Sequence, residues 1–203
     1  MDNQNSLCTF YIVRHGQTEW NVKGLIQGHA DSPLTEEGIK QATDLSGKLS
    51  STNFDLVFSS DLLRAKRTAE IITLDRQLTV QTTALLRERG WGKLDGSPNE
   101  KIKELYDQVS EERQKEAEIE HEIEAEEKVI ERLVTFLRET SVAYPGKTVL
   151  VVTHGGIMSR FLDHIGFWDF KERPKDAISN GAVVVIESDG VEFFVKSSQG
   201  IAK

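Results

Sequence analysis

Short apolar runs and longer amphipathic stretches alternate along this chain of 203 residues. The short runs are rich in β-branched residues and predict strands, and the stretches with apolar residues every three or four positions predict helices. Because strands that alternate with helices pair mostly in parallel and are covered on both faces, the pattern predicts an α/β fold. The predicted strands are Cys8–Val13, Leu56–Phe58, Thr148–Val152, Ala182–Ile186 and Glu192–Val195. The predicted helices are Thr35–Leu49, Asp61–Ile72, a long segment Asn99–Thr140 and Gly156–Ile165.

The last two predicted strands flank the tripeptide Ser188-Asp189-Gly190, which is typical of a tight hairpin turn. Strands that are joined in this way run antiparallel. We therefore expect one antiparallel edge on an otherwise parallel sheet.

The stretch from Asn99 to Tyr144 contains no glycine and no proline. Its apolar residues form two groups at helical spacing, and residues 110–117 between them include no large apolar residue. We interpret the stretch as two helices, or as one long helix whose middle projects into solvent. Glutamates crowd residues 111–131, and we interpret them as a solvated helical face. The two apolar groups are Ile102, Leu105, Tyr106 and Val109, and Ile119, Ile123, Ile130, Leu133, Val134 and Leu137.

Composition narrows the classes of function. A chain of this length with 38% hydrophobic residues is expected to form one domain, residues 1–203. The formal net charge of -8 argues against a nucleic-acid partner. Cys8 is the one cysteine, so no internal disulfide can form, which fits a reducing compartment. The N-terminus has neither the basic region of a signal peptide nor a long apolar run, so we expect a cytoplasmic protein without a membrane partner.

Five polar segments have the composition of an active site, and each lies at the end of a strand-like run or in a nearby loop. Ligands of open α/β sheets bind at the carboxyl ends of strands. Arginine binds phosphate through two parallel hydrogen bonds, and histidine can act as a nucleophile or base near neutral pH. Each segment alone is compatible with a structural role, but together they predict a phosphate pocket. The segments are Arg14-His15-Gly16 with Thr18 and Asn21, Gln27-Gly28, Ser59-Ser60 with Arg64, Glu88-Arg89, and Thr153-His154-Gly155-Gly156.

Arg64 falls in the first turn of a predicted helix, where a cation opposes the helix dipole. This placement suggests that Arg64 faces an anion that is also held by free backbone amides.

These motifs resemble those of the histidine phosphatase superfamily, also called the phosphoglycerate mutase-like family. The resemblance runs from about Tyr11 to Asn180 and is carried by RHGQTEWN, QGHADSPLTEEG, SSDLLRAKRTA, LRERGWGKLDG, VVTHGG and ISNGAV, in the family's order. It implies a doubly wound three-layer α/β/α sandwich around a mostly parallel six-stranded sheet with one antiparallel edge strand. A helical acidic cap segment is expected at about 98–140.

The resemblance also implies a role for each residue of the predicted pocket. His15 would be the nucleophile and become phosphohistidine, with its other ring nitrogen held by a backbone carbonyl. Glu88 would donate a proton to the leaving alcohol and then activate water, and Asn180 would lie near the pocket. The implied catalytic residues are His15, Glu88, Arg14, Arg64 and His154. The implied substrate-binding residues are Arg14, Thr18, Asn21, Gln27, Gly28, Arg64, Glu88, Arg89, His154 and Gly155.

The chemistry that these residues offer needs no metal and no cofactor. A phosphoryl group in transfer carries its charge on three equatorial oxygens, which two arginines and a second histidine can stabilise. The sequence has no carboxylate cluster of the metal-ligand kind and no GxxxxGK[ST] motif. We therefore expect activity without either group.

Two departures from the family pattern bear on the reaction. Many members have a Pro-Gly-Gly-Glu-Ser-like break where this chain reads EIEHEIEAEEKVIERL, and Glu126 or Glu127 is the candidate for the family glutamate. Cofactor-dependent mutases have a tyrosine, a lysine and then paired arginines where this chain has Trp91 and Asn99 and no arginine pair. Because a mutase must grip a bisphosphate while it turns over, the loss of these cations favours hydrolysis.

The sequence therefore predicts a phosphatase that hydrolyses a small phosphorylated metabolite. The alternatives are a cofactor-dependent phosphoglycerate mutase and a non-catalytic phosphate-binding scaffold. Sugar phosphates, phosphoserine, a phosphorylated cofactor precursor and fructose-2,6-bisphosphate all remain open as substrates, and a homodimer remains open as the assembly.

Overall fold

A computed structural model describes residues 6–107, 109–168 and 177–202 of the chain. Residues 1–5, on which the prediction about a signal peptide rests in part, lie outside these ranges. The strands are β1 (Cys8–Arg14), β2 (Leu56–Ser60), β3 (Val80–Thr83), β4 (Thr148–Thr153), β5 (Ile178–Ser188) and β6 (Phe193–Ile201). The α-helices are α1 (Glu19–Lys23), α2 (Glu36–Lys48), α3 (Leu63–Ile72), α4 (Glu100–Tyr106), α5 (Glu111–Glu120), α6 (Glu126–Ala143) and α7 (Gly155–His164). Two short 3₁₀ helices span Ala84–Leu86 and Gly92–Leu94.

The strands form one six-stranded sheet in the order β3-β2-β4-β1-β5-β6. The first four strands in this order pair in parallel, and the β5–β6 hairpin forms an antiparallel edge next to β1. This confirms the predicted sheet. The register pairs Arg14 with Thr153, so β1 and β4 end at the same level. The residues that follow both strands are thereby brought side by side.

Alternation along the strands divides the core between the two faces of the sheet. Phe10 and Ile12 of β1 pack against α6 and α7, whereas Val13 packs on the opposite face against α2 and α3. The observed layers confirm the predicted three-layer sandwich. None of the helices within the described residues combines the length and the apolar composition needed to cross a lipid bilayer.

Strand β3 was not predicted, because its sequence VQTT contains a single large apolar residue, Val80. The strand forms through backbone pairing with β2 at the edge of the sheet. Hydrophobic periodicity carries little information about an edge strand of this kind, whose two central residues are exposed.

The segment Asn99–Thr140 forms three helices where the sequence predicted one or two. Ser110 begins α5 by accepting a hydrogen bond from Arg113, and Glu122 follows its end with a φ of 60°. Ile119 was assigned to an apolar stripe, but its side chain is 80% exposed. These breaks depend on local capping and not on the apolar spacing that was used to predict the helix.

The predicted acidic cap segment contributes to two different cores. Helix α6 packs Val129, Leu133 and Leu137 into the main core beside the sheet. Ile123 instead joins a separate small cluster with Ile26 and Leu94, against which Trp91, Ile102 and Leu105 pack. We refer to residues 98–125 as the cap, since they cover this small cluster and do not contribute to the main core.

Candidate active site

His15 and His154 lie next to each other at the carboxyl ends of β1 and β4. The backbone N–H of His15 donates to the Thr153 carbonyl at 3.0 Å, which continues the pairing of the two strands. The two imidazole rings are 5.2 Å apart between centroids, and their exposed fractions are 3% and 0%. Because the two parallel strands end at the same level, the buried loops that follow them place two imidazoles in one site.

The ring of His15 is fixed by a backbone carbonyl, as the resemblance implies. Its Nδ1 lies 2.7 Å from the Gly16 carbonyl oxygen. A carbonyl can only accept, so Nδ1 carries the proton and Nε2 keeps a free lone pair. Burial, followed by the charges of Arg64 and Arg14, holds the pKa of His15 well below its ordinary value of 6.5. The imidazole is therefore neutral and its Nε2 can act as a nucleophile near neutral pH.

Arg64 is 1% exposed and is held from several sides. Its Nη1 donates to the Ala30 carbonyl at 2.6 Å and to Asp31 at 2.9 Å, and its Nη2 donates to the Gly28 carbonyl at 2.8 Å. Its Nε donates to Nδ1 of His154 at 3.2 Å. The guanidinium is thus fixed in the site before any ligand arrives.

The contact with Arg64 also sets the tautomer of His154. Because Nδ1 accepts, the proton of the neutral ring is on Nε2. Burial and then the charge of Arg64 hold the pKa of His154 well below 6.5, so the ring stays neutral. Nε2 is buried and has no hydrogen-bond partner within the described part of the chain. His154 therefore carries a donor that no described residue uses, and its ring lies 5.2 Å from that of His15 between centroids.

Asp31 is the anion that the position of Arg64 suggested. Its carboxylate accepts from the backbone N–H of Leu63 at 2.7 Å and from that of Arg64 at 3.4 Å. The α3 N-terminus, whose N-cap Leu62 offers no side-chain oxygen, is capped in this way from a distant loop. The free amides are therefore occupied by a protein carboxylate and not by a ligand. Sequence reasoning missed Asp31, although it lies within the quoted QGHADSPLT motif.

The carboxylate of Glu88 faces the N-terminus of α7. Its Oε2 accepts from the backbone N–H of Gly156 at 2.8 Å, and its Oε1 accepts from that of Arg89 at 2.9 Å. Gly156 allows this approach, because a Cβ at this position would lie 2.5 Å from Oε1 of Glu88. The two amide contacts orient the carboxylate beside the histidines.

A cavity of about 640 Å³ opens above the strand ends. Its lining contains most of the predicted site residues: Arg14, His15, Asn21, Gln27, Gly28, Arg64, Glu88 and Gly155. Asn180 also lines it and donates to the His15 carbonyl at 3.0 Å and to Asn21 at 3.3 Å. Arg14 donates from Nη1 to the Ile178 carbonyl at the start of β5. The wall towards the cap consists of Leu25, Ile26, Trp91, Asn99 and Ile102.

Three predicted substrate-binding residues, His154, Thr18 and Arg89, are not among the residues that line the cavity. Thr18 is fully buried; its hydroxyl donates to Oε1 of Gln27 at 3.0 Å and its backbone N–H donates to Oδ1 of Asn21 at 3.0 Å, so it supports residues that line the cavity. The Arg89 side chain points into the cap, where Nη2 contacts Glu118 at 2.7 Å and the guanidinium lies 4.9 Å from the Trp91 ring centroid. The structure therefore places all three beside the site and none of them among the residues that line it.

Part of the acidic stretch is not a solvated face. Glu118 pairs with Arg89, Glu124 pairs with Arg132 at 2.9 Å, and Glu126 lies 3.2 Å from Nε of Arg160 on the cavity wall. Only the remaining glutamates, such as Glu111, Glu112 and Glu120, are exposed as predicted. Glu124 also contacts the loop that carries Glu88, through the backbone N–H of Gly90 at 2.9 Å, and Glu126 lies 3.7 Å from Nη1 of Arg89 in the same loop.

Within residues 6–107, 109–168 and 177–202, no three histidine, cysteine, aspartate or glutamate side chains are placed to hold one metal ion. The cavity lining includes the cations Arg14, Arg64 and Arg160 beside the carboxylate of Glu88, and the cations suit an anionic ligand.

Comparison with known proteins assigns the family. The sequence model of the histidine phosphatase superfamily (branch 1) matches residues 10–199. This chain belongs to the histidine phosphatase superfamily. It is 34% identical to a protein of Bacillus subtilis named "Uncharacterized phosphatase PhoE" over 158 residues, which cover 78% of this chain and 77% of the relative. It is 30% identical to the "Broad-specificity phosphatase YOR283W" of Saccharomyces cerevisiae over an alignment of 205 positions, which covers 96% of this chain and 86% of that protein.

A solved structure shows the same fold. The phosphoglycerate mutase from Bacillus anthracis str. Sterne superimposes with a TM-score of 0.82 at 26% identity, over 97% of this chain and 95% of the other. The predicted family and fold are thereby confirmed. The predicted enzyme class, a phosphoric monoester hydrolase of the histidine phosphatase type, is confirmed with them.

Proposed function

We propose that this protein is a metal-independent phosphatase that hydrolyses a small phosphomonoester through a phosphohistidine on His15. The observation that carries the proposal is the state of His15, a buried neutral imidazole whose Nδ1 is held by Gly16 while Nε2 keeps its lone pair. Arg14, Arg64 and His154 surround it with donors. A nucleophile and an anion clamp thus share one cavity.

In the first step, Arg14, Arg64 and Nε2–H of His154 hold the equatorial oxygens of the phosphoryl group. Nε2 of His15 attacks phosphorus, a P–N bond forms and the bond from phosphorus to the ester oxygen breaks. Glu88, in its protonated form, gives its proton to that oxygen, so the product leaves as an alcohol. Cations that are fixed in advance stabilise the transition state without having to reorganise.

In the second step, the Glu88 carboxylate takes a proton from a water molecule whose oxygen attacks phosphorus. The P–N bond breaks and its electron pair returns to Nε2 of His15. Inorganic phosphate leaves and Glu88 is protonated again, as the next turnover requires.

The cavity supports hydrolysis in preference to mutase chemistry. Its cations, Arg14, Arg64 and Arg160, all lie on the sheet and α7 side. The cap side consists of uncharged side chains, among them Trp91 and Asn99. A second phosphate at the cap side would find no cation there in the described part of the chain. The volume of about 640 Å³ lies in the range typical of small-molecule sites. These features suit a monoester whose remaining part is small and uncharged.

The relatives agree with this reading, since two of them are named phosphatases. Phosphoglycerate mutase is the second candidate, because a protein of that name shares the fold over nearly the whole chain. Incubation with phosphoglycerate and a bisphosphate separates the two activities. A phosphatase releases inorganic phosphate, whereas a mutase interconverts the monophosphates and releases little. The cytoplasmic setting, the absence of a nucleic-acid partner and the option of a homodimer stay predictions.

Trapping of the intermediate tests the proposal. The protein is mixed with a ³²P-labelled monoester, quenched in alkaline detergent because phosphohistidine is acid-labile, and digested for peptide mapping. We expect label in the peptide that contains His15, and we expect His15→Ala to lose both label and turnover. His164→Ala, which removes an exposed histidine of α7, is the matched control and should keep both. Label on His154, or turnover of an aryl phosphate by His15→Ala, would refute the assignment.

A further inference from the structure

Glu88 is placed by a loop and not by a strand or helix, so its position depends on side chains that hold the loop. It follows the 3₁₀ helix Ala84–Leu86. Its backbone carbonyl accepts from Nη2 of Arg132 at 2.9 Å and from Nε2 of His29 at 2.9 Å. A carbonyl oxygen has two lone pairs, and both are used here by side chains from distant segments.

Arg132 holds the loop at two points. Besides the Glu88 carbonyl, its guanidinium donates from Nη1 to the Leu85 carbonyl at 2.9 Å. The two acceptors lie three residues apart, so one planar group spans the turn that precedes the carboxylate. Arg132 is not among the residues that line the cavity, so it acts on the site from behind.

Glu124 fixes Arg132 and holds the other end of the loop. Its carboxylate accepts from Nε and Nη2 of Arg132 at 2.9 and 3.2 Å, and from the backbone N–H of Gly90 at 2.9 Å. Its own backbone N–H donates to the Gly90 carbonyl at 2.9 Å. Burial raises the pKa of Glu124, but the hydrogen bonds from Arg132 and Gly90 bring it below its ordinary value, which keeps the carboxylate charged. The two side chains of the pair are only 14% and 19% exposed.

We infer that the Arg132–Glu124 pair is a positioning device that holds the carboxyl group of Glu88 in proton-transfer range of the leaving oxygen. The inference rests on the proposed role of Glu88 as the proton donor. Neither Arg132 nor Glu124 is among the residues that line the cavity. The pair acts through the backbone of residues 85–90, to which it is hydrogen-bonded at Leu85, Glu88 and Gly90.

The test compares two substrates that differ in their need for a proton. Expulsion of p-nitrophenolate needs little help, whereas expulsion of an alkoxide needs a general acid, which contributes about 10²–10⁴-fold. A misplacement of about 1 Å can slow a reaction about 10²-fold. We expect Arg132→Lys to slow single-turnover phosphorylation by glycerol phosphate about 10- to 100-fold and that by p-nitrophenyl phosphate only about 2-fold. KM for both should change little.

Three further variants make the test specific. Glu124→Gln keeps an acceptor for Gly90 but removes the charge that fixes Arg132. It should therefore slow phosphorylation by the alkyl phosphate more than that by p-nitrophenyl phosphate, as Arg132→Lys does. This variant replaces Arg132→Lys in the test if Arg132→Lys does not fold. Arg87→Lys is the matched control, because Arg87 is next to Glu88 and pairs with Asp61 at 2.6 Å. It should not change the ratio of the two rates. In a Glu88→Gln background, Arg132→Lys should add no further selectivity, because it acts through Glu88.

The outcomes separate this inference from the proposed function. If Glu88→Gln slows both substrates equally, Glu88 is not the proton donor, and the inference falls with that role. If Glu88→Gln is selective but Arg132→Lys and Glu124→Gln slow both substrates equally, the pair has only a structural role and the inference alone is wrong. Selectivity of Arg132→Lys that persists in the Glu88→Gln background would also overturn it.

Discussion

The two buried histidines predict a loss of stability at mildly acidic pH. Burial is the main cause that lowers the pKa of both His15 and His154 well below 6.5, and the charge of Arg64 adds to it. In the unfolded chain each imidazole titrates near its ordinary value. As the pH falls through 6.5, the unfolded chain gains protons that the folded protein does not take up, so the equilibrium shifts towards unfolding. The stability present above pH 6.5 is lost progressively as the pH approaches the folded pKa values.

The magnitude follows from the number of protons. Each histidine that is protonated only in the unfolded chain changes the free energy of unfolding by about 1.4 kcal/mol per pH unit. Integrated from about pH 7.5 to about pH 5.5, two such histidines remove about 2.7 kcal/mol. This is a large share of the 5–15 kcal/mol that is typical of a folded domain. Asp55, Asp61 and Glu124 have lowered pKa values and lose their contribution at lower pH than the histidines do. Burial raises the pKa of Asp95, so this carboxyl group opposes the loss of stability as the pH falls.

Urea unfolding at three pH values measures the effect. The buffers must be free of phosphate, because an anion that binds only the folded site would stabilise it. We expect the loss between about pH 7.5 and about pH 5.5 to shrink by about 1.4 kcal/mol in His15→Asn and in His154→Asn. His164→Asn controls for removal of an imidazole as such, since His164 is exposed in the last turn of α7, the helix that begins directly after His154. A loss that stays at its full size in both site variants would refute the reasoning.

Two further predictions concern turnover. Activity should survive exhaustive treatment with a chelator, because arginines supply the positive charge in the proposed mechanism, and loss of activity that Mg²⁺ restores would contradict it. Gly156→Ala should slow phosphorylation by alkyl phosphates up to about 100-fold, because its Cβ would lie 2.5 Å from Oε1 of Glu88 and displace the carboxylate. Gly47→Ala, whose Cβ would meet nothing within 4 Å, should leave the rate unchanged, and equal rates for the two variants would show that Glu88 tolerates the shift.

The residues at strand ends could be predicted because two signals coincide in the sequence. An apolar run marks where β1 and β4 lie, and His15 and His154 follow each run directly. Parallel strands then bring the two ends together without any further information. The same logic placed Arg64 near the pocket, since its motif follows the predicted strand at residues 56–58. Glu88 follows β3, which was not predicted, and its place in the pocket came from its glycine-rich motif and the family resemblance.

The supports of these residues could not be predicted in the same way. Asp31 lies 33 residues from Arg64, and Arg132 lies 44 residues from Glu88. Local spacing carries no information about such pairs, and a single charged residue in a helix is most often exposed. Arg132 and Glu124 were therefore assigned to a helical segment with a solvated acidic face. Arg89 was predicted to bind substrate, but its side chain turns into the cap, whereas the neighbouring Glu88 faces the cavity.

The acid sensitivity and the readiness of the nucleophile have one physical cause. A histidine in water is partly protonated near neutral pH, and a protonated ring cannot attack phosphorus. Burial beside Arg64 and Arg14 keeps His15 unprotonated, at the expense of stability when the pH falls. A bound phosphate dianion would offset the two arginine charges and make protonation of the rings less unfavourable. In the neutral ring, the Nδ1 contact with Gly16 keeps the one ring proton on the nitrogen that faces away from phosphorus.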